Sequence, residues 1–215
     1  MTGKSKMYCA GETYFAVIKE GMANTGFIDD ACYEYYHLRL MNCLNIYQIQ
    51  LHAYLLKPKE IWLLFTPKTP QGFDALLGYL NKTYSNYFNI RFDRSVNAWA
   101  GTPITCSIPK DNLILDCQKF IEREPLRAKL VKHPGEYLWS SYCTNSFNRS
   151  ARYLTAHRSF KLSRQSHRNN YSQYRDFIVN PFKEAYYLFL ENRLLTGRSL
   201  ITPRRNQHVQ LQKYC

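Results

Sequence analysis

The sequence predicts an α+β fold of the ferredoxin-like type, in which a β-α-β-β-α-β succession forms an antiparallel sheet with helices on one face. The first observation behind this prediction is a hairpin pattern at residues 51–65, where two apolar runs flank the break Lys57-Pro58-Lys59. The second is the order of the predicted elements around that hairpin. A further helix and a basic, partly helical tail follow, so the 215 residues suit one domain of ordinary size with an appendage.

The first strand and the first helix precede the hairpin. Residues 13–18 are β-branched and aromatic, which is typical of a strand. Asp29 or Asp30 can cap a helix that runs to about Leu44, because its side-chain oxygen can accept from a free backbone N–H.

The hairpin itself supplies the second and third strands, expected at residues 46–56 and 60–65. Residues i and i+2 of a strand face the same side of a sheet. Glu60 and Trp62 are therefore expected on one face of the third strand, with Ile61 and Leu63 on the other.

A second helix, a fourth strand and a third helix complete the predicted core. The second helix is expected at residues 72–88, where an apolar stripe comprises Phe73, Leu76, Leu77, Leu80 and Tyr84. The fourth strand is expected at 104–108. The third helix is expected to begin at Asp111 and to stop at Pro125.

Charge is distributed unevenly along the chain, whose formal net charge is +13. Residues 149–215 carry 13 Lys and Arg against three acids, a net of +10, while residues 1–148 carry a net of only +3. A nearly neutral body with a basic tail favours a polyanionic partner such as nucleic acid. We therefore divide the chain into residues 1–148 and a basic extension at 149–215, in which residues 171–195 have a helical pattern.

The seven cysteines form no Cys-x-x-Cys pair and do not have zinc-finger spacing with histidine. They are expected to be reduced and mostly buried, as in a cytoplasmic protein. No signal-peptide pattern opens the sequence and no apolar run reaches the roughly 18 residues of a membrane span, so we expect no membrane partner. The sequence leaves monomer and homodimer open.

The central hairpin resembles the core of the REP-associated tyrosine transposases, members of the HUH single-strand transposase superfamily that includes IS200-like transposases. In that family a Met-Pro-Asn turn leads into His-hydrophobe-His on the next strand. Here the turn is Lys57-Pro58-Lys59, and the two His positions hold Glu60 and Trp62.

Further segments resemble the family in the same order. Residues 84–89 are similar to its Tyr-x-x-Tyr-Phe-Asn, and residues 99–101 to the start of its Trp-x-Gly-Arg, with Thr102 in place of the Arg. Residues 120–128 are similar to Tyr-Ile-Glu-Leu-Asn-Pro-Val-Arg-Ala, and 133–142 to Pro-x-x-Tyr-x-Trp-Ser-Ser-Tyr. Residues 154–157 resemble a tail motif of the family.

The resemblance implies a specific chemistry. Two imidazoles on one strand face hold a divalent cation, assisted by a polar group on a nearby helix, and the cation polarises a phosphate of single-stranded DNA. A Tyr on the helix before the Tyr-Ile-Glu segment then attacks phosphorus and leaves a 5′-phosphotyrosine. The strand that is cut lies beside a hairpin that the protein recognises.

The residues that carry this chemistry are missing here. The metal-ligand positions hold Glu60 and Trp62, and an indole offers no lone pair to a metal. The nucleophile's position falls at Leu113 or Ile114. Glu60 and Gln118 remain as weak metal candidates, so no cofactor is expected, and Mg²⁺ or Mn²⁺ only if the site is still active.

Three functions follow from these residues. The first is a DNA-binding protein of transposase descent that has lost strand cleavage. The second is an active transposase with an altered site. The third is an RNA-binding or interaction module that places Trp62 and Tyr54 on an open sheet face.

Candidate contacts to DNA are basic residues next to the former site and along the tail, where aromatic residues interleave with arginines as a single strand requires. They are Lys57, Lys59, Arg91, Arg94, Arg127, Lys129, Lys132, Arg149, Arg152, Arg158, Arg164 and Arg168.

Overall fold

The computed structural model describes residues 8–21, 24–99, 101–109, 111–147, 153–157 and 170–200. These residues contain a four-stranded antiparallel sheet with the strand order β2-β3-β1-β4. The strands are β1 (Tyr14–Lys19), β2 (Ile49–Lys57), β3 (Glu60–Pro67) and β4 (Ile104–Ser107). The helices are α1 (Asp30–Cys43), α2 (Gly72–Phe92), α3 (Asp111–Arg127), α4 (Tyr142–Ser146), α5 (Asn170–Val179) and α6 (Glu184–Leu195), with a 3₁₀ turn at Pro134–Glu136.

The element order and the strand order confirm the predicted ferredoxin-like arrangement. The two connecting helices, α1 and α2, pack on one face of the sheet, where Ile61 and Leu63 of β3 join Tyr36 of α1 and Leu80 of α2 in a buried cluster. The alternation of strand side chains therefore separates the two faces as the sequence pattern predicts.

The opposite face of the sheet is also covered by helices. Trp62 and Leu64 of β3 are buried there with Ile114 of α3 and Leu190 of α6. The expectation of helices on one face thus describes α1 and α2 but not α3 and α6. The reason is that the hairpin strands are apolar on both sides, so both sides need a covering layer.

The structure confirms the predicted start of α1 and corrects the predicted end of α3. Asp29 caps α1, since its side chain accepts from the N–H of Cys32 at 3.0 Å. The predicted stop of α3 at Pro125 is wrong, because the helix continues to Arg127. Pro125 lies in the last turn, where its missing N–H removes only one intrahelical bond, and the N–H of Ala128 still bonds the carbonyl of Glu124 at 2.7 Å.

Later parts of the chain lie along the outer edge of β2 and also contact β4. Along β2, the N–H of Leu56 donates to the carbonyl of Trp139 at 2.9 Å and that of Thr155 to Leu51 at 2.8 Å. At β4, the thiol of Cys106 donates to the carbonyl of Arg198 at 3.0 Å. The segment at 154–157 that resembles a family tail motif is therefore attached to the sheet edge.

No helix in the described part of the chain is long and apolar enough to cross a membrane. The six described cysteines are free thiols, and Cys32, Cys43, Cys106 and Cys117 are buried.

A buried chain of hydrogen bonds joins the tail segment to the sheet. His52 Nδ1 lies 2.7 Å from the carbonyl oxygen of Thr155, which can only accept, so Nδ1 carries the proton and Nε2 accepts from Thr66 Oγ1 at 2.8 Å. Thr66 Oγ1 must then accept from Thr13 Oγ1 at 2.8 Å, and Thr13 in turn from His157 Nε2 at 3.1 Å. While His52 is neutral, the donor and the acceptor of each of these four hydrogen bonds are therefore fixed.

Stability is predicted to fall on acidification through His52. Burial lowers the pKa of His52 to about 4 from an ordinary value of 6.5. Between pH 6.5 and pH 4, His52 is therefore protonated in the unfolded chain and neutral in the folded chain. The free energy of unfolding decreases as the pH falls through this range, by about 3 kcal/mol in total. Denaturant unfolding followed by circular dichroism across this range measures the slope.

The variant His52→Asn isolates this contribution, because its amide can still donate to Thr155 but does not titrate. We expect it to be less stable at pH 7 and to lose less stability on acidification than the unmodified protein. His133→Asn changes an exposed histidine and should keep the original slope. A His52→Asn protein with the full original slope would contradict the assignment.

Candidate nucleic-acid interface

Four parts of the chain meet at the end of the sheet that carries the β2–β3 turn. We call this region the hairpin end and define it as residues 19–21 with 24–30, 57–60, 91–94 and 124–132. The N–H of Phe27 donates to the carbonyl of Pro58 at 2.8 Å, and a Cβ on Gly26 would lie 2.0 Å from the same carbonyl oxygen. A glycine at 26 is thus what allows the loop after β1 to pack on the turn.

Three aromatic rings are stacked beneath the hairpin end, and we call Trp62, Phe120 and Tyr187 the ring stack. The rings of Trp62 and Phe120 are 5.2 Å apart and nearly parallel at 6°, and those of Phe120 and Tyr187 are 5.2 Å apart at 27°. Trp62 and Phe120 are each 1% exposed and Tyr187 is 6% exposed. The ring stack therefore joins β3, α3 and α6 into one packed layer.

A cation lies against each end of the ring stack. The ammonium of Lys57 is 4.5 Å from the Trp62 ring centroid, and the guanidinium of Arg127 is 3.8 Å from that of Tyr187. Each contact draws a positive charge to the face of an aromatic ring. Both residues are candidate DNA contacts from the sequence, and the structure gives them contacts within the protein.

Lys57 also joins two carboxylates. Its Nζ lies 3.3 Å from Glu60 Oε2 and 3.1 Å from Glu124 Oε1, and its side chain is 20% exposed. This links the hairpin turn to the last turn of α3. A phosphate would therefore compete with two existing partners for Lys57.

Glu60, the weak metal candidate, has three partners in the structure. Besides Lys57, its carboxylate accepts from Trp62 Nε1 at 3.0 Å and lies 3.7 Å from Lys19 Nζ. Glu60 and Trp62 do share the face turned to α3, as the sequence predicted. The residues at the two family His positions bond to each other, with the indole N–H as donor and the carboxylate as acceptor.

The position of the missing nucleophile lies in the same buried layer. Leu113 and Ile114 are 8% and 1% exposed and belong to the cluster that contains Trp62. The structure therefore places Leu113 and Ile114, at the position of the family's nucleophile, in the same cluster as Trp62, at the position of a family metal ligand. The side chains of leucine and isoleucine are apolar and cannot act as nucleophiles.

Gln118, the other weak metal candidate, belongs to a separate buried network. Its Nε2 donates to Tyr174 Oη at 2.7 Å, and Tyr174 donates to Glu122 Oε2 at 2.6 Å. Ser141 and Asn145 also donate to Glu122, each at 2.6 Å. Burial raises the pKa of Glu122 while these four polar side chains oppose the rise, so this glutamate serves to tie α3 to α4 and α5.

Among the described residues, no group of three or more His, Cys, Asp or Glu side chains is placed to hold a metal ion. Tyr174, an aromatic residue of the basic extension, is 5% exposed and bonded to Glu122 and Gln118, so its ring is not available to stack on a base.

The other basic candidates are more accessible. Lys59 is 65% exposed on its side chain and lies 3.7 Å from Glu20, and Arg91 pairs with Asp29 at 2.7 Å. Arg94, Lys129 and Lys132 are exposed. The candidates Arg149, Arg152, Arg158, Arg164 and Arg168 lie outside the described residues.

Sequence reasoning missed Tyr187 and Glu124, the residues that complete this site. Tyr187 lies in α6, far along the chain from the hairpin, and no local pattern points from one to the other. Glu124 is visible within the segment that resembles the family, but its pairing with Lys57 depends on how α3 crosses the sheet.

No protein-family model and no curated protein matches this chain. Among solved structures it is similar to a REP-associated tyrosine transposase bound to a REP hairpin, with 12% sequence identity over 73% of this chain and 93% of that chain and a TM-score of 0.56. A candidate transposase from Deinococcus radiodurans R1 is 15% identical over 57% of this chain and 98% of that chain, with a TM-score of 0.38.

The class of the protein follows from the sheet and its helices: it is an α+β protein with a transposase-like fold. More particularly, the first of the two similarities places its fold with that of a REP-associated tyrosine transposase. The fold that the sequence motifs implied is thereby confirmed.

Removing the Lys57 ammonium is predicted to destabilise the fold. Lys57→Met keeps an apolar stem against Trp62 but removes the ion pair of Glu124 and leaves Glu60 with only its 3.7 Å contact to Lys19. Loss of one partner of a largely buried ion pair is strongly destabilising, and with the partial exposure of Lys57 we expect about 2 kcal/mol, measured by denaturant unfolding at pH 7.

Lys59→Met is the matched control, since it removes the neighbouring turn lysine with a mostly exposed side chain. Its single long ion pair with Glu20 is worth under about 1 kcal/mol. Equal losses in the two variants would contradict a structural role that is particular to Lys57.

Proposed function

We propose that this protein is a DNA-binding member of the REP-associated tyrosine transposase family that recognises hairpin-bearing single-stranded DNA and has lost strand cleavage. The observation that carries the proposal is the ring stack with its cation caps. The ring stack lies on the sheet face that is turned to α3. The family resemblance places the metal ligands and the nucleophile on that same face.

The loss of cleavage rests on three residues that are missing from one layer, namely the two metal-binding histidines and the nucleophilic tyrosine. Trp62 and Glu60 occupy the two metal-ligand positions, and the indole N–H of Trp62 donates to the carboxylate of Glu60. The position of the nucleophile holds a buried leucine or isoleucine. Tyr187 of α6 fills space beside Phe120. Restoring one residue would leave the other two changes in place, so cleavage would not return by a single substitution.

DNA is proposed to bind across the hairpin end through phosphate contacts. Lys59, Arg91, Arg94, Lys129 and Lys132 surround this end of the sheet, and the basic residues of 149–215 add further positive charge. A hairpin bound to the solved neighbour of this fold supports a DNA ligand of the same kind. Phosphate contacts position a nucleic acid, and base contacts specify it.

The second candidate function is an active transposase with an altered site. It would need Glu60 as a metal ligand and a tyrosine as nucleophile. The tyrosine of the ring stack is unsuited to that role, because burial raises the pKa of Tyr187 and keeps its hydroxyl protonated. Its hydroxyl already donates to Glu191 at 3.1 Å.

The third candidate, an RNA-binding module on this scaffold, depended on aromatic side chains exposed on the sheet. Trp62 is 1% exposed on the face covered by α3 and α6, and Tyr54 is 2% exposed on the face covered by α1 and α2. The two rings therefore do not share the open sheet face that such a module requires. Affinity for a hairpin DNA well above that for the matched RNA would support the first candidate over this one.

Binding to a hairpin-bearing single strand is predicted to weaken steeply with salt, because each phosphate contact releases counterions. The double variant Arg94→Gln with Lys129→Asn removes two proposed contacts, and Asn tolerates the left-handed backbone of Lys129 at φ 57°. The slope of log affinity against log salt should fall by about 1.4, at roughly 0.7 for each contact with a single strand. Fluorescence anisotropy with a labelled oligonucleotide measures it.

Lys68→Gln serves as control, because Lys68 is exposed at the opposite end of the sheet, after β3. It should leave the slope unchanged. Affinity that does not depend on salt, or equal effects of the two changes, would contradict the proposed interface.

No covalent protein–DNA product is expected when the protein is incubated with hairpin-bearing single-stranded DNA and Mg²⁺ or Mn²⁺. A denaturing gel reports the result, since a phosphotyrosine linkage survives denaturation. A shifted band that requires the metal would support the second candidate function and reject the loss of cleavage.

A further inference from the structure

Residues 154–157 of the basic extension are attached to the outer edge of β2. Leu154 forms a parallel bridge with Leu51, and the N–H of Thr155 donates to the carbonyl of Leu51 at 2.8 Å. The carbonyl of Thr155 in turn accepts from His52 Nδ1 at 2.7 Å. A backbone bond and a side-chain bond at one residue therefore hold this segment against the sheet.

His52 reaches the segment because β2 contains a bulge. Residues two apart on a regular strand share a face of the sheet, yet Leu51 lies in the cluster with α1 and Ala53 in the cluster with α3. The register of β2 against β3 shifts between these two residues, so His52 is the extra residue. A bulge re-aims a side chain, and here the imidazole bonds both Thr66 of β3 and the extension.

The hydrogen bonds from His157 to His52 run in one direction when no proton is added. His157 Nε2 donates to Thr13 at 3.1 Å, and Thr13 donates to Thr66 at 2.8 Å. Thr66 then donates to His52 Nε2 at 2.8 Å. Since His157 is only a donor in this series, a proton on its other ring nitrogen leaves all of these bonds in place.

A proton on His52 has a different effect, because it converts Nε2 from an acceptor to a donor. Thr66 must then accept from His52 and donate to Thr13. If His157 is charged as well, Thr13 accepts from both sides and its own hydroxyl proton has no acceptor in the series. A buried donor without an acceptor costs free energy.

Repulsion between the two imidazoles adds to this cost. The ring centroids of His52 and His157 are 4.8 Å apart, and two like charges at this distance oppose each other. The four side chains of the series are between 3% and 7% exposed, so water screens the repulsion poorly. Detachment of the segment would separate the rings and let Thr13 bond water.

Other charged groups lie near this cluster. Glu122 of α3 is linked to the backbone carbonyl of His52 through Asn145, whose amide donates to both. Glu12 precedes β1 and Lys68 follows β3, and both are exposed. Both ring nitrogens of His52 already have partners, so these three groups act on it only at a distance.

We propose that His52, Thr66, Thr13 and His157 form an acid-sensitive latch, which holds residues 154–157 on β2 with no added proton or with one and releases them on uptake of a second. The first proton goes to His157, where the bonds are kept, and the second to His52, where they are not. The operation of the latch does not depend on what the extension binds.

The latch has a defined pH range. Burial lowers the pKa of His52 to about 4, the bond to Thr155 opposes this, and the charge of His157 adds to it. After release His52 regains its ordinary pKa of 6.5. The equilibrium constant for release should therefore grow about tenfold per pH unit as the pH falls from 6.5 towards 4, and level off below 4.

Amide hydrogen exchange of the full chain, followed by NMR and corrected for the intrinsic effect of pH, tests the latch. The amide of Thr155 should exchange faster than the amides of β1 and β3 at every pH, because release is a local opening. Its opening constant should follow the tenfold rise per pH unit. Imidazole nitrogen shifts should show His157 taking up a proton at higher pH than His52.

His157→Gln removes the first charge. A Gln amide can donate to Thr13 or, after rotation, accept from it, and it takes no proton. The titration midpoint of His52 should rise by about one pH unit, and the opening of Thr155 should depend less on pH. His133→Gln changes an exposed histidine and should leave both unchanged.

Three results would overturn the latch. The first is an amide of Thr155 as well protected as those of β1 and β3, which would mean that only global unfolding detaches the segment. The second is a His52 that takes up its proton before His157. The third is a His157→Gln protein in which the midpoint of His52 stays where it was.

Discussion

The packing of Trp62 against Phe120 is the interaction on which the arrangement of this protein depends. A tryptophan on β3 needs a flat apolar partner on the helix that crosses it, and Phe120 provides one in nearly parallel contact. That contact places α3 across the hairpin, brings Glu124 to Lys57 and leaves a face of Phe120 for Tyr187. Three elements distant in sequence are thereby held in one layer.

The polar groups of the same layer find their partners within the protein. A pair of imidazoles around a cation is polar and open, and without the metal it would leave buried polar groups unsatisfied. Here an indole N–H donates to a carboxylate, and one lysine pairs with that carboxylate and with a neighbouring one. Packed rings and paired charges therefore make this layer part of a close-packed core.

The sequence predicted those parts of the fold that depend on interactions between residues close together in the chain. The Asp29 cap, the hairpin and the opposite faces of Ile61 and Trp62 follow from short-range hydrogen bonding and strand alternation, and all three are present. Pro125 was misjudged because one missing bond in a last turn is tolerated. The covering of the second sheet face and the place of Tyr187 depend on contacts between residues far apart in sequence, which periodicity does not encode.

The occupied edges of the sheet have a consequence for self-association. An unpaired outer strand offers a row of donors and acceptors on which another chain can build. In this protein, residues around Trp139 and Thr155 lie along one margin and residues near Arg198 along the other, and each margin is short or already bonded. Growth of the sheet from molecule to molecule is therefore disfavoured.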